Sequence, residues 1–583
     1  MTVETQRQGE RRPSAGGALS GWLAGLLRAR LGARGVGIAT LLAALAIWLY
    51  FRRYEGGWPN QFFVITVTAL IATAIVLLTR RLLVAAVLVP AMIAIVVMAA
   101  AAKHKAMDMS IHAYDLVFYL TSTATLNFLW SDYRGQLLEL IAALAAMFAA
   151  AVLAYRFDGT RVPRLASFIA LCGLAGLTAV AANVKGERRH TQQYWEDLVV
   201  STFYSSWSET VETLWRGQLI EAAGTANGPV FTVPATCTTA EKPPHIILVH
   251  EESVVPPSLV PTVQYDTSLD SFFGSFDGNM HKMRVETYGG ASWLTEFSIL
   301  AGVSTYSFGG MRPFVQSLMA GKVHDTLPEA LARCGYRNVV FYPLSRNFVS
   351  NAKFYTAAGM PEIRDMQDQG ATRHDERDRF YFSNALALME EHFKQSRQPL
   401  FTFILTMATH APYEKAYMPE VDVPGGGPGT DPEMNEYLRR LAMARMDYDY
   451  FVKELERHFP GERFLVMHYG DHHPIATRSY LGFANAKAAE DVSLAPDSPG
   501  FTTYFAVNAI RYAPPALPDV ETLDVPYLGT VLLEAAGLPL SDAYTERKRL
   551  LTMCKGRYYG CPAQDQILAF HRRLMDSGLV DAR

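Results

Sequence analysis

Ser292 is the hydroxyl in this chain best placed to act as a nucleophile. It lies in Glu286-Thr-Tyr-Gly-Gly-Ala-Ser-Trp-Leu-Thr-Glu-Phe297, where Gly289 and Gly290 permit a tight approach and a helical run begins at Trp293. A hydroxyl at a helix N-terminus faces unpaired backbone N–H groups and the positive end of the macrodipole, which favour an alkoxide and attract phosphate or sulfate. The competing reading is a plain N-cap, with Thr295 or Glu296 completing a capping arrangement. Residues elsewhere in the chain favour the chemical reading. Glu252, Asp471 and His472 offer mixed carboxylate and imidazole donors for Mn²⁺, Zn²⁺ or Mg²⁺. The Ser292 hydroxyl would fill an open coordination position there and be activated as a nucleophile. His410 could bind a phosphate oxygen or protonate a leaving alkoxide, and Arg346 could hold an anionic oxygen bidentately. Taken singly, Glu252 reads as a surface carboxylate, His410 as a cap and Asp471-His472 as a turn.

The elements that must position these residues make the set coherent. From Pro244 onward, short β-rich runs alternate with helical stretches, the pattern of an α/β domain with a largely parallel sheet. Strands are expected at His245–His250, Asn338–Tyr342, Leu400–Met407, Arg463–His468 and Thr502–Asn508. Helices are expected at Ser292–Ala301, Leu327–Cys334, Ser383–Gln395 and Glu436–His458. Chemistry in such sheets gathers at the carboxyl ends of strands. The first four of those ends carry Glu251-Glu252-Ser253, Tyr342-Pro-Leu-Ser-Arg346, Ala408-Thr-His410 and Gly470-Asp-His-His473.

The first third of the chain is different in kind. Apolar runs recur at Val36–Phe51, Phe62–Leu78, Leu82–Ala102, Leu137–Tyr155 and Leu165–Ala182. Each is near the ~20 residues needed to cross ~30 Å of hydrocarbon. Arg28, Arg30 and Arg34, then Arg80 and Arg81, then Arg156, Arg161 and Arg164 fall on one side if the N-terminus is cytoplasmic; Arg52 and Arg53 dissent. Five spans would deliver everything after about Asn183 to the outside, so the catalytic half is expected to be periplasmic or extracellular on a multi-pass inner membrane protein. Ile111–Tyr119, between the third and fourth spans, suits either an interfacial helix or one packed between spans. The Arg-, Gly- and Ser-rich start, with an amphipathic patch at Leu19–Leu27, reads as a cytoplasmic tail.

The division expected is therefore a tail at 1–34, a five-span domain at 35–183, a juxtamembrane connector at 184–243 and a catalytic domain at 244–583. A net charge of −3 without a basic stripe gives no sign of nucleic-acid binding. Of five cysteines, Cys172 lies in an apolar run. Cys237, Cys334, Cys554 and Cys561 could form two bridges in an exported domain, with Cys554 and Cys561 the natural local pair.

The order strand–Glu–Ser, Gly-x-Ser-x-x-x-Glu-Phe, strand–His and strand–Gly-Asp-His resembles the sulfatase-like branch of the alkaline phosphatase superfamily. Within that branch it is similar to lipoteichoic acid synthases and related membrane phosphoglycerol and phosphoethanolamine transferases. Val525–Leu538 looks like that superfamily's late helix. The resemblance implies five spans followed by an α/β sulfatase-like domain with a mainly parallel central sheet. It implies that Glu252, Ser292, Asp471 and His472 hold one divalent metal, Mn²⁺ ahead of Zn²⁺ or Mg²⁺. Ser292 would be the nucleophile, while Arg346 and His410 contact the transferred headgroup. The partners implied are a phospholipid donor and an envelope glycan or glycolipid acceptor, and the alternative is a membrane-anchored sulfatase or phosphodiesterase-type hydrolase. Three departures stand out: Ser292 replaces the synthases' threonine, their aromatic-Asn-Arg motif is here Leu344-Ser-Arg346, and the Cys/Ser-x-Pro-x-Arg formylglycine signature is absent.

Overall fold

The computed structural model describes residues 31–582, apart from 108, 122, 186–197, 227, 240–241, 349–350, 425–430 and 483–497. The Leu19–Leu27 patch, most of the expected tail and the start of the connector lie outside the described residues. The described chain divides into two compact units: 31–102, 135–185 and 198–204 in one, and 103–134 with 205–582 in the other.

In the first unit, uniform apolarity produces five long helices, the third carrying Pro90 in its interior: Ala33–Tyr54, Trp58–Thr79, Leu82–Lys105, Arg134–Phe157 and Arg164–Lys185. Each has 22 to 24 residues, which at 1.5 Å per residue is about 33 Å or more of helix. Their outward side chains are apolar, as a lipid-facing surface requires, with Leu41, Phe148 and Ile169 among the most exposed. Backbone bonds gather the arginine-bearing ends on one face of this unit. Leu31 N donates to Phe157 O (2.8 Å), and Val162 N donates to Arg80 O (3.1 Å). At the other end, Glu55 accepts from Val200 N (2.7 Å) and Ser201 N (3.1 Å), capping the helix Val199–Arg216 that follows the fifth span. The dissenting Arg52 and Arg53 lie at this end too, 6.0 Å from the Trp48 ring and 5.0 Å from the Tyr54 ring. Each is a cation–ring contact.

The second unit is built on eight strands: β1 His245–Glu251, β2 His281–Arg284, β3 Arg337–Phe341, β4 Glu362–Arg364, β5 Leu400–Leu405, β6 Phe464–Gly470, β7 Thr502–Ile510 and β8 Thr522–Asp524. Their order is β4-β3-β5-β1-β6-β7-β2-β8. All neighbours are parallel except β7, which runs against both β6 and β2. Central β1 is buried along its whole length. Ile246 and Leu248 enter one hydrophobic core, Ile247 and Val249 the other, so a continuous apolar run is what a strand covered on both faces needs. One covering layer includes Trp293–Ala301 and Leu528–Ala535; the other includes Asp378–Gln395 and Pro432–His458. The segment 103–134 also belongs to this unit. Its His112 and Tyr114 rings lie 5.4 and 4.9 Å from Phe314, and Ala113 N donates to Ser206 Oγ (2.7 Å).

Two disulfides close this unit, Cys237–Cys334 across 97 positions and Cys554–Cys561 across 7, while Cys172 is free. Inside the short loop, Tyr558 Oη lies 2.8 Å from His571 Nε2, and His571 Nδ1 donates to Glu221 O (2.7 Å). Burial pushes the His571 imidazole down to about 4, so folded His571 stays neutral where an unfolded histidine, near 6.5, is already protonated. A depressed histidine contributes stability above the unfolded value, and that contribution is lost as pH falls from about 6.5 towards 4. The wild type should therefore lose about 2 kcal/mol more than His571→Gln between pH 7.5 and pH 5. Thermal unfolding of the two proteins at both pH values measures this; parallel losses would contradict it.

Candidate active site

Adjacent parallel strands bring the acidic groups together. Glu251 of β1 is in register with Gly470 of β6, so Glu252 and Asp471 leave the sheet side by side. The chain after Glu252 turns back sharply through Ser253, a non-glycine residue at φ 55°. It crosses Gly470 so closely that a Cβ there would sit 1.8 Å from Val254 O. Hydrogen bonds fix the turn: Ser253 N donates to Asp471 Oδ1 (2.7 Å), and Ser253 Oγ donates to Glu252 Oε1 (2.8 Å).

Ser292 enters from a second loop. Gly289 at φ 70°, Gly290 at φ 155° and Ala291 at φ 62° form three successive positions of positive φ. Gly289 N donates to His473 O (3.0 Å), which ties this loop to the end of β6. Ser292 itself is helical and its side chain caps nothing. Its Oγ instead donates to Glu252 Oε2 (3.0 Å) and lies 3.4 Å from His472 Nε2. The N-cap alternative is thereby set aside in favour of a hydroxyl turned toward a carboxylate. The helix Trp293–Ala301 is held at both ends. Thr295 Oγ1 donates to Asp471 O (2.8 Å), and Arg547 donates to Gly302 O and Ala301 O (3.0 Å each). Buried Glu286 organises the approach, accepting from Ser298 Oγ (2.9 Å), Thr305 N (2.7 Å) and the hydroxyls of Ser304 and Thr305.

The resulting cluster is rich in negative charge. Burial lowers the affinity of His472 for a proton, but Asp471 and Glu252 outweigh it and raise the imidazole to about 9. Burial likewise raises Glu252, yet the charges of His472, His410 and His250 more than reverse that and hold it well below the carboxylate range. Both directions describe carboxylates that need a cation nearby. His472 Nε2 lies 3.4 Å from Glu252 Oε1 and 3.2 Å from Asp471 Oδ2. Asp471 Oδ2 is buried and makes no well-aligned hydrogen bond, facing only the imidazoles of His472 and His250, a costly state for a charged oxygen unless these are protonated or a metal ion meets it. Donor atoms of His250, Glu252 and Asp471 also lie within 4.8 Å of one another. The residues present fit a divalent cation.

His410 follows β5 and is exposed. Its loop is fastened to the cluster, since Thr409 Oγ1 donates to the Glu252 carbonyl. Arg440 braces it from behind, donating to His410 O (2.6 Å), Pro412 O (2.8 Å) and Lys415 O (3.2 Å). Arg346 is placed differently. Its guanidinium donates to Asp365 (2.9 Å) and pairs with Asp368, two carboxylates that follow β4. The structure thus brings Glu252, Ser292, Asp471 and His472 into one cluster with His410 beside it, and engages Arg346 in a separate ion-pair group.

Sequence reasoning did not single out His250, Glu286 or Arg440. For His250 a signal existed: it stands two residues before Glu252, and alternate residues of a strand share a face.

A family model described as Sulfatase matches residues 283–492. The matched segment resembles the sulfatase family over those residues. The sulfatase match contains Ser292, Arg346, His410, Asp471 and His472, and leaves β1 with Glu252 upstream. A Haemophilus influenzae protein described as uncharacterised is 25% identical over 335 residues, covering 54% of this chain. The chain spans 57% of that relative's length. Among solved structures, the Streptococcus pyogenes phosphoglycerol transferase GacH, in complex with sn-glycerol-1-phosphate, is similar at 17% identity and a TM-score of 0.45. The alignment covers 58% of this chain and 87% of that one. The integral membrane lipooligosaccharide phosphoethanolamine transferase A of Neisseria meningitidis is similar at 13% identity and a TM-score of 0.44. There the coverage is 88% of this chain and 91% of that one.

Proposed function

We propose that this protein is a metal-dependent phosphotransferase. It moves a phosphoglycerol or phosphoethanolamine headgroup from a membrane phospholipid, through a covalent Ser292 intermediate, to a hydroxyl of an envelope glycan or glycolipid. One observation carries the reading: the Ser292 hydroxyl, free of capping duty, donates to Glu252 within a buried, cation-demanding cluster. Five spanning helices on the same chain keep the catalytic unit at a membrane surface, where a lipid donor is available.

Glu252, Ser292, Asp471 and His472 would hold the cation, Mn²⁺ first and Zn²⁺ or Mg²⁺ as alternatives. When bound, it offsets charge on the phosphoryl oxygens and favours the serine alkoxide. The chain's own residues supply the rest. Ser292, hydrogen-bonded to Glu252 Oε2, loses its proton to solvent, and its Oγ forms a bond to phosphorus as the bond to the diacylglycerol oxygen breaks. His410 gives that oxygen its proton. The acceptor hydroxyl then attacks the phosphoserine, passing its proton to His410, as the bond from phosphorus to Ser292 Oγ breaks. Arg346, steadied by Asp365 and Asp368, presents the remainder of its guanidinium to an anionic headgroup. The catalytic unit stands on the periplasmic or extracellular side of the inner membrane.

Full-length protein in phospholipid vesicles with an acceptor glycolipid tests this reading. Diacylglycerol release should require a divalent metal and should match phosphorus gained by the acceptor. Release of free headgroup phosphate in place of acceptor labelling would make the protein a hydrolase instead. His410→Ala should lower kcat by about 10²–10⁴-fold with metal affinity little changed; an equal loss of metal affinity would remove His410 from the proton-transfer role.

A further inference from the structure

His250 has no part in the steps above, yet its environment is that of a ligand. It is the sixth residue of β1, 1% exposed, and stands two residues before Glu252, which follows the strand. Its Nδ1 lies 2.8 Å from Tyr469 Oη. Its Nε2 is fully buried and has no hydrogen-bond partner. That nitrogen lies 3.1 Å from Asp471 Oδ2, which is also buried without a hydrogen-bond partner. With the proton on Nδ1, the Nε2 lone pair faces a carboxylate oxygen at this distance, which is costly unless a cation meets both. A cation between them satisfies both at once. The Tyr469 hydroxyl, accepting from Nδ1–H, would fix the tautomer that leaves the Nε2 lone pair turned inward, the usual outer support of a ligating histidine.

We infer that His250 Nε2 is a further protein ligand of the same cation, completing a set of His250, Glu252, Ser292, Asp471 and His472. A second imidazole makes the donor set richer in nitrogen. Such a set suits Zn²⁺ or Mn²⁺ better than Mg²⁺, which prefers oxygen and retains its water. The inference rests on the metal-dependent reading of the site and adds to it both a ligand and a selectivity.

The test is metal binding to metal-free full-length protein in detergent, with Zn²⁺, Mg²⁺ and Co²⁺ each used alone. His250→Phe should weaken Zn²⁺ binding by about tenfold or more and leave Mg²⁺ binding less affected. It should also change the visible absorption of the Co²⁺-loaded protein, because a ligand has left the coordination sphere. Tyr469→Phe should show a smaller loss of affinity with the Co²⁺ band retained. If His250→Phe fails to fold, His250→Gln keeps a polar group at the site and serves in its place. Unchanged Zn²⁺ affinity, or weakened affinity with an unchanged Co²⁺ spectrum, would overturn the inference, the second result leaving His250 a positioning residue. The outcome is separable from the phosphotransfer reading. Loss of metal ligation in His250→Phe, beside a wild type that forms no phosphoserine, would sustain the ligand and sink the transferase.

Discussion

Ser292→Ala should abolish headgroup transfer, lowering kcat on the order of 10⁴–10⁶-fold, as loss of a covalent nucleophile does elsewhere. The loss should come without unfolding. Ser292 is only partly buried, caps no backbone N–H, and its single donated hydrogen bond goes to a carboxylate already supported by Ser253 Oγ. Removing it leaves no orphaned donor, so the thermal midpoint should move little. Ser292→Thr should keep part of the activity, because the hydroxyl is retained at a position whose helical φ and ψ a threonine can adopt. The readout is initial-rate release of labelled diacylglycerol beside a thermal melt. A Ser292→Ala protein retaining even a tenth of the wild-type rate would remove the serine from the chemistry.

Gly470→Ala is expected to have a comparable effect by a different route. A Cβ at Gly470 would meet Val254 O at 1.8 Å and Val254 C at 3.0 Å, both backbone atoms. No rotamer change can relieve that contact; the turn after Glu252 must move away from the end of β6. That turn carries Ser253 N to Asp471 Oδ1, so the displacement would separate the carboxylates that face each other. The expected cost is about 3 kcal/mol or more in stability, with a loss of divalent-metal affinity exceeding that of any exposed substitution. Thermal unfolding with and without metal reads both. A stable Gly470→Ala protein with wild-type metal affinity would show that the crossing is not what positions Glu252 against Asp471.

Much of this architecture was legible in the residues, for identifiable physical reasons. The five spans were legible because hydrocarbon imposes a length and an apolarity that few soluble helices share. The first helix exceeds its apolar run at both ends, Ala33–Tyr54 against Val36–Phe51, because Arg52, Arg53 and Tyr54 can continue a helix at an interface. In the sheet, β1, β3, β5, β6 and β7 announced themselves by β-branched and aromatic runs. The three-residue β4 and β8 are too short to carry a pattern, and β2, His-Lys-Met-Arg, is too polar. The reversed direction of β7 has no signature in composition at all.

The site was legible to the same extent as its strands. Glu252, His410 and Asp471-His472 follow long, apolar strands and stood out. Arg346 also follows a recognisable strand, but its partners Asp365 and Asp368 follow the undetected β4, so its ion pairs could not be foreseen. Glu286 lay within the serine motif, yet four donors converging on one carboxylate is a property of the folded loop and not of spacing. Arg440 lies on the long helix Pro432–His458, where a charged residue reads as solvated surface. Only the fold turns it inward against the His410 loop.

The most direct measurement is the intact mass of the full-length protein, quenched soon after mixing with Mn²⁺ and phospholipid vesicles without an acceptor. The account predicts a metal-dependent mass increase equal to one phosphorylated headgroup, localised to the peptide holding Ser292 and missing from Ser292→Ala. Headgroup release by the wild type with no such adduct, or an adduct that survives in Ser292→Ala, would contradict it.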